Sequence, residues 1–515
     1  MMSKLSTFRI LLLVCLTWVA GLGDSYSNDK SDQILVMGAQ RDFKDASEGK
    51  LLVFNTLVTL DASGRLVPEL AEAWDVSADG KLWTFALRQG VRYHDGSVFN
   101  AKSAKFALER AKTGAIWARN LDDIRIVDDH TLQVLFNTYY YPFLYDLASA
   151  WQAENFVSPA AVEPPWDPKG KIVHFIGTGP FKLIDYQKDR EAVLTRNDDY
   201  WGKKPRLQKI LWKYTPDPYA QILALKAGEL DIIGAPEHHS SVPFMKLGEL
   251  KGNPDLAVSI HSYGRYQVLE FNCQLPPFND VRVRKALNCA IDRSTMVKSL
   301  FEGIADPSDL ITDPKFIWGP SNIKKGYAFD PKMAKSLLAE AGWVDTNADG
   351  ILDKDGLNFD IELLVPTGEA NADMVVLVVQ SQLKAMGIRL TIKNLTNAWD
   401  QRLTGKYDLF LGTSGCLPSI PGGIGVADKY HSKSGWPYAY HSEQLDALIE
   451  EAFTTTDPAR MRQRCDAIWT LLQDANPCIP LYDIAKAVVM NKRVRGFKHG
   501  ATMFDMDLTD IVLTQ

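Results

Sequence analysis

Two apolar periods alternate along nearly the whole of this chain, and that alternation constrains its fold more than any other feature. "LWTFALRQGVRY" switches between apolar and polar at every second position, as a half-buried strand does, and "NAKSAKFALERAKTGA" follows at helical spacing. Asn100 opens that helix as an N-cap, its side chain placed to satisfy unpaired backbone amides. "QILVMGA" and "HTLQVLF" read as strands, as does "NPCIPLYDIAKAVVMNK" near the end. "YAQILALKAGELDII" and "VRVRKALNCAIDRSTMVKSLFEG" read as helices running directly into strands or turns. "SEQLDALIEEAFTTTD" and "PARMRQRCDAIWTLLQDA" form a helical pair. Helices and strands interleaved over the full length predict α/β or α+β lobes. With 515 residues the chain exceeds the ~250–300 that one core organises, so at least two domains are expected.

The N-terminus carries Lys4 and Arg9, an apolar run from Ile10 to Ala20, then Gly21, Leu22 and Gly23. That order is that of a secretory signal peptide over residues 1–23. The run is shorter than the about 20 residues a membrane span needs. Cys15 suggests a lipoprotein, but Val14 before it is the wrong size for such a cleavage site and the apolar run continues past it. The mature chain is therefore expected to be exported, soluble and monomeric. A net charge of −6 with dispersed Lys and Arg argues against nucleic acid as a partner. Five cysteines follow the signal, with no metal spacing among them; Cys465 and Cys478, flanking the end of one helix, are a candidate pair.

Catalytic and metal signatures are missing: H-E-x-x-H, G-x-S-x-G, G-x-x-x-x-G-K and a helix-opening G-x-G-x-x-G do not occur. In "GTGPFK", Pro180 and Phe181 stand where a phosphate would need bare amides, so a tight turn entering a strand is the simpler reading. "DTNADGILDKDG" sets Asp345, Asn347, Asp349 and Gly350 at calcium-loop spacing, with Asp353 further on. Its twelfth position is Gly356 rather than the bidentate Glu, and a hairpin turn accounts for the same residues. His238 and His239 are adjacent and would point to opposite faces of a strand. His431 lies in a long Gly- and Pro-rich stretch of the kind that often carries function, and by itself reads as a surface histidine.

"LVPELAEAWDVSADGKLWTFALRQGVRYHDGSVFNAKSAKFALERA", Leu66 to Ala111, resembles the signature of the extracellular solute-binding proteins of family 5, the dipeptide, oligopeptide and nickel binders of ABC importers. The resemblance continues in order through "IGTGPFKL", "RNDDYWGKKP", "YTPDPYAQILALKAGELDI", "PPFNDVRVRKALNCAIDR", "FDPKMAKSLLAEAGW", "EQLDALIEEAF" and "CIPLYDIAKAVV". It implies an α/β, two-lobed periplasmic-binding-protein fold with a hinge and an extra subdomain inserted in the first lobe. Lobe I would comprise 32–65, 176–270 and 486–515, the inserted subdomain 66–175, and lobe II 271–485. "TLQVLFNTYYYPFLYDLA" is most similar to the nickel-binding branch. The aromatic stretch Tyr139–Ala148 would then be mainly core of the inserted subdomain, near the pocket.

By that resemblance His431 falls where a metal-contacting histidine is expected, and Trp117 matches a cavity tryptophan. Arg41 borders the cleft as a candidate carboxylate contact, and Tyr140, Thr413 and Trp436 complete the ligand-binding set. The sequence departs from the nickel pattern at Gly114 and Asn155, where arginines are expected, and at Ser414, where a tryptophan is expected. The implied function is to capture a small peptide or a nickel-chelate complex in the periplasm and deliver it to ABC permease subunits, with no cofactor required and no reaction catalysed. A secreted peptide hydrolase would need a nucleophile and a positioned base, and no such pair is evident. A ligand sensor of the same fold would keep the pocket without a permease.

Overall fold

The computed structural model describes residues 33–61, 64–113, 115–150, 152–236, 242–301, 303–314, 318–321, 326–367, 371–414, 429–433, 438–500 and 502–514. Among these, no helix is long and apolar enough to cross a membrane. The proposed signal segment, Cys15, His238, His239, Cys416 and Trp436 lie outside the described residues.

A ten-stranded mixed sheet forms the frame. One half holds Phe181–Gln187, Glu191–Arg196, Lys209–Tyr214, Ile34–Ala39 and Ile232–Ile233, and the other holds Leu409–Ser414, Asp360–Pro366 and Arg389–Leu395. Between them run two long antiparallel strands, Cys478–Asn491 and Leu256–Phe271, which belong to both halves. The chain thus has two lobes joined by a strand pair. The pairing of these two strands breaks in the middle: Ser262 faces Ala485 and Tyr266 faces Asp483, leaving Tyr263, Gly264 and Arg265 opposite Ile484 alone. Gly264 takes φ +66° there, a backbone that L side chains rarely adopt.

The inserted subdomain is a four-stranded antiparallel sheet in the order Ala71–Val76, Leu82–Leu87, Thr131–Phe136, Leu121–Asp128. Helix Ala101–Ala111 packs on it and is capped as the sequence predicts. The Asn100 side chain accepts from the amides of Lys102 and Ser103, and the Ser103 hydroxyl accepts from the Asn100 amide. Two predicted elements are shorter than their apolar patterns. The strand from Leu82 ends at Leu87 because Gly90 turns the chain at φ +75°. The long helix expected from Val281 is split into Val281–Ala290 and Arg293–Phe301. At the break the Arg293 guanidinium turns inward to the carbonyl oxygens of Asn288 and Pro480 and the side-chain oxygen of Asn288.

"GTGPFK" is the turn it was expected to be, entering strand Phe181–Gln187. Its glycines are required by contact, since a Cβ on Gly177 would collide with the Val53 carbonyl oxygen and one on Gly179 would meet the Val53 carbonyl carbon at 2.6 Å. His94 locks the turn, with Nε2–H donating to the Gly179 carbonyl (3.0 Å) and Nδ1 accepting from the Gly177 amide (3.4 Å). Cys465 and Cys478 are separately buried free thiols, so the candidate disulfide is not formed. The calcium-like loop is a self-bonded turn. Asp345 accepts from the amides of Asp349 and Gly350, and the Asp353 carboxylate is occupied by the amide and hydroxyl of Thr346.

Candidate functional site

The aromatic stretch is core on one side and contact surface on the other. Phe143, fully buried, meets Trp83, Phe85, Trp117 and Phe136 edge-to-face, the last at 4.8 Å between ring centroids. Tyr140 and Tyr141 face the helical pair of the second lobe, Glu443–Thr454 and Pro458–Ala475. The Tyr140 ring stands edge-on to Phe453 at 5.6 Å, and the Tyr141 amide donates to the Phe453 carbonyl at 2.9 Å. The Trp318 indole donates to the Tyr141 hydroxyl at 2.9 Å, and Trp469 in turn holds the Trp318 carbonyl. One turn away, Arg119 donates to the Lys433 carbonyl at 3.1 Å. The inserted subdomain and the second lobe are therefore joined along a seam formed by Arg119, Tyr140 and Tyr141 against Trp318, Lys433 and Phe453.

The second-lobe side of this seam is pinned by buried charge. Glu270, on strand Leu256–Phe271, pairs with both Arg402 and Lys429, and the Glu270 and Arg402 side chains are almost wholly buried. Burial alone would raise the Glu270 carboxyl, but the two cations hold it below its ordinary value. Lys429 thus ties the segment carrying His431 to the central strand pair. Ser432 adds a second tie, its amide donating to Asp446 at 2.9 Å and its hydroxyl to the same carboxylate.

His431 is not a surface residue: it is 7 % exposed. Its Nδ1 accepts from the Lys433 amide at 3.0 Å, which leaves the proton on Nε2, 3.3 Å from a Glu450 carboxylate oxygen. Both ring nitrogens are engaged in this state, so coordination of a metal would require one of these bonds to break. Among the described residues no group of three or more His, Cys, Asp or Glu side chains is placed to hold a metal ion. Trp117 lies beside the seam but is fully buried, and its indole N–H has no hydrogen-bond partner. It is packed core here rather than an open cavity wall. Tyr140 is likewise core, 1 % exposed, with its hydroxyl donating to Asp146 at 3.1 Å.

Arg41 and Thr413 stand elsewhere, near the central strand pair. Arg41 is half-buried, its carbonyl accepts from the Trp212 indole, and its charge lowers the carboxyl of buried Glu48 against the larger upward effect of burial. The Thr413 hydroxyl accepts from Arg265, a residue of the irregular segment, whose guanidinium also lies 5.5 Å over the Phe504 ring. The structure thus sets His431, Trp117 and Tyr140 along one seam and Arg41 and Thr413 along another region. Sequence reasoning missed Trp318, Phe453, Arg119 and the Glu270 cluster. Only Glu270 left a signal, a lone carboxylate within the apolar run "QVLEF".

The family profile for bacterial extracellular solute-binding proteins, family 5 Middle, matches residues 65–432. The nickel-binding periplasmic protein of Escherichia coli K12 is 26 % identical over 454 residues, 85 % of each chain. The dipeptide-binding protein of the same organism is 31 % identical over 326 residues, covering 58 % of this chain and 59 % of the relative. Among solved structures, NikA from Brucella suis in complex with Fe(III)-EDTA superposes with a TM-score of 0.83 at 24 % identity, over 93 % of this chain and all of that one. The oligopeptide-binding protein AppA from Bacillus subtilis, in complex with a nonapeptide, gives 0.80 at 22 % identity, over 94 % and 99 %. The chain belongs to the bacterial extracellular solute-binding proteins of family 5.

Proposed function

We propose that this protein is the periplasmic solute-binding component of an ABC importer, which encloses a carboxylate-bearing small solute between its lobes and presents it to permease subunits. The observation that carries this reading is the seam at which Tyr141, Trp318 and Phe453 join the inserted subdomain to the second lobe. Such a contact favours a closed form, and a ligand touching both sides draws the equilibrium toward it. Lobe I comprises 32–65, 176–270 and 486–515, with 66–175 inserted, and lobe II comprises 271–485; the hinge lies at the irregularity between Ser262 and Tyr266. No covalent step is required.

A small peptide and a nickel chelate share the carboxylate chemistry that Arg41 would recognise bidentately. His431 separates them, because neutral imidazole is a natural ligand for nickel. Thr413 and Trp436 are proposed to shape the enclosure, with Trp117 and Tyr140 as the packed aromatic core behind it. Calorimetry with nickel–histidine and with a dipeptide mixture tests this on the wild type, His431→Ala and Arg41→Ala. A true ligand raises stability by about 2.7 kcal/mol at a hundredfold excess over its Kd and shrinks the radius of gyration. Nickel–histidine binding abolished in His431→Ala supports the chelate; dipeptide binding weakened only by Arg41→Ala supports the peptide. A tight ligand that leaves the scattering curve unchanged would overturn closure.

A further inference from the structure

We propose that His261, His499 and Tyr263 form a binding site for a late first-row transition-metal dication, separate from the seam that holds His431. The three residues meet where strand Leu256–Phe271, at the start of its irregular segment, lies beside the short strand Lys498–His499. The His261 and His499 rings lie 5.1 Å apart at 24°, and the Tyr263 ring is 4.5 Å from His261 and 6.3 Å from His499. Tyr263 is the first residue of the segment that leaves the strand ladder, and such bulges re-aim side chains.

Two polar atoms in this cluster are shielded from solvent and lack a partner: His499 Nδ1 and the Tyr263 hydroxyl. The other His499 nitrogen, Nε2, lies 2.9 Å from the Ser259 hydroxyl. An orphaned buried N–H is costlier than an orphaned lone pair, so the proton sits on Nε2 and is donated to Ser259. That leaves the Nδ1 lone pair as the unpartnered atom. A histidine whose second nitrogen donates to a protein oxygen is the usual arrangement of a metal ligand.

His261 is exposed and stacks on His499. Rotation about its Cα–Cβ bond exchanges the stack for joint coordination with Nδ1 of His499. Two imidazoles suit copper, nickel and zinc. The Tyr263 hydroxyl oxygen would then accept from a metal-bound water. A site of two histidines and a phenol falls below any cluster of three His, Cys, Asp or Glu ligands, none of which occurs among the described residues.

The test uses the full mature chain without a polyhistidine tag, titrated with Cu2+ alone in the presence of glycine as competitor. The expected result is one bound equivalent whose electron paramagnetic resonance spectrum carries nitrogen hyperfine structure. His261→Ala should weaken it at least tenfold without moving the apo melting temperature, since the side chain is exposed. His499→Ala should do the same, and His431→Ala should leave the signal intact. Copper held equally by the wild type and His261→Ala would overturn the proposal, as would loss of the signal in His431→Ala alone. Because the seam variant and the cluster variants are read separately, failure here leaves the importer reading untouched.

Discussion

The Trp318 indole N–H donates to the Tyr141 hydroxyl at 2.9 Å across a sequence separation of 177 residues, joining the inserted subdomain to the second lobe. Burial raises the Tyr141 phenol well above its ordinary value, so it stays neutral and available as an acceptor. One such bond contributes about 1 kcal/mol net, roughly fivefold in an equilibrium constant. Tyr141→Phe is expected to enlarge the radius of gyration of the unliganded protein and to raise the Kd of its ligand roughly fivefold. Scattering and calorimetry check both, and two unchanged values would mark the contact as permanent packing.

Glu270→Gln removes the one carboxylate that Arg402 and Lys429 share in the buried cluster. Breaking such a pair costs on the order of 3–5 kcal/mol, because the two cations are left facing each other uncompensated. The double variant Glu270→Gln/Arg402→Met, which leaves Lys429 as the single cation of the cluster, is expected to recover part of that loss. Urea unfolding of the three proteins measures it.

Gly177→Ala places a methyl group against the Val53 carbonyl oxygen, where neither backbone has room to yield. Overpacking of this kind costs about 1–3 kcal/mol or more. A lowered melting temperature, with His94 reporting the disturbed turn by NMR, is the expected outcome.

Two buried groups tilt the pH dependence of stability in opposite directions. Burial raises the Glu48 carboxyl from 4.5 to about 7, opposed in part by Lys486. Over that window the native state holds a proton the unfolded chain has lost, so stability falls as pH rises, by on the order of 3 kcal/mol in all. Burial lowers His94 from 6.5 to about 4. There the unfolded chain holds the extra proton, so stability rises with pH between about 4 and 6.5. In Glu48→Gln the rise should remain and the decline toward pH 7 should flatten. A variant profile that overlays the wild type would mean that Glu48 ionises normally.

The interleaved periods predicted the lobes, and the Asn100 cap and the turn at Gly177 were readable because each rests on local chemistry. The break before Arg293 was not, because one of the acceptors that draw its guanidinium inward, the Pro480 carbonyl, lies 187 residues away in the chain. The same limit applies to the seam. Nothing around Tyr141 names Trp318 as its partner, and nothing around His431 states that Lys433 and Glu450 occupy its nitrogens. Trp117 and Tyr140 are fully buried beside the seam, a depth that no local pattern states, since burial is a property of the assembled fold.

The interruption between Ser262 and Tyr266 divides one pair of strands into two hydrogen-bonded blocks. Residues on either side are paired in separate ladders, each anchored in its own lobe, while Tyr263, Gly264 and Arg265 have no register partner and the Gly264 amide donates to the Ser262 hydroxyl at 3.2 Å. Twisting one block against the other therefore breaks no ladder bonds, and the strand pair behaves as a torsion bar with a single compliant section. Native-state hydrogen exchange would then register two slowly exchanging islands separated by a short, faster-exchanging stretch, and the stiffness of each lobe would be set independently of the ease with which they turn.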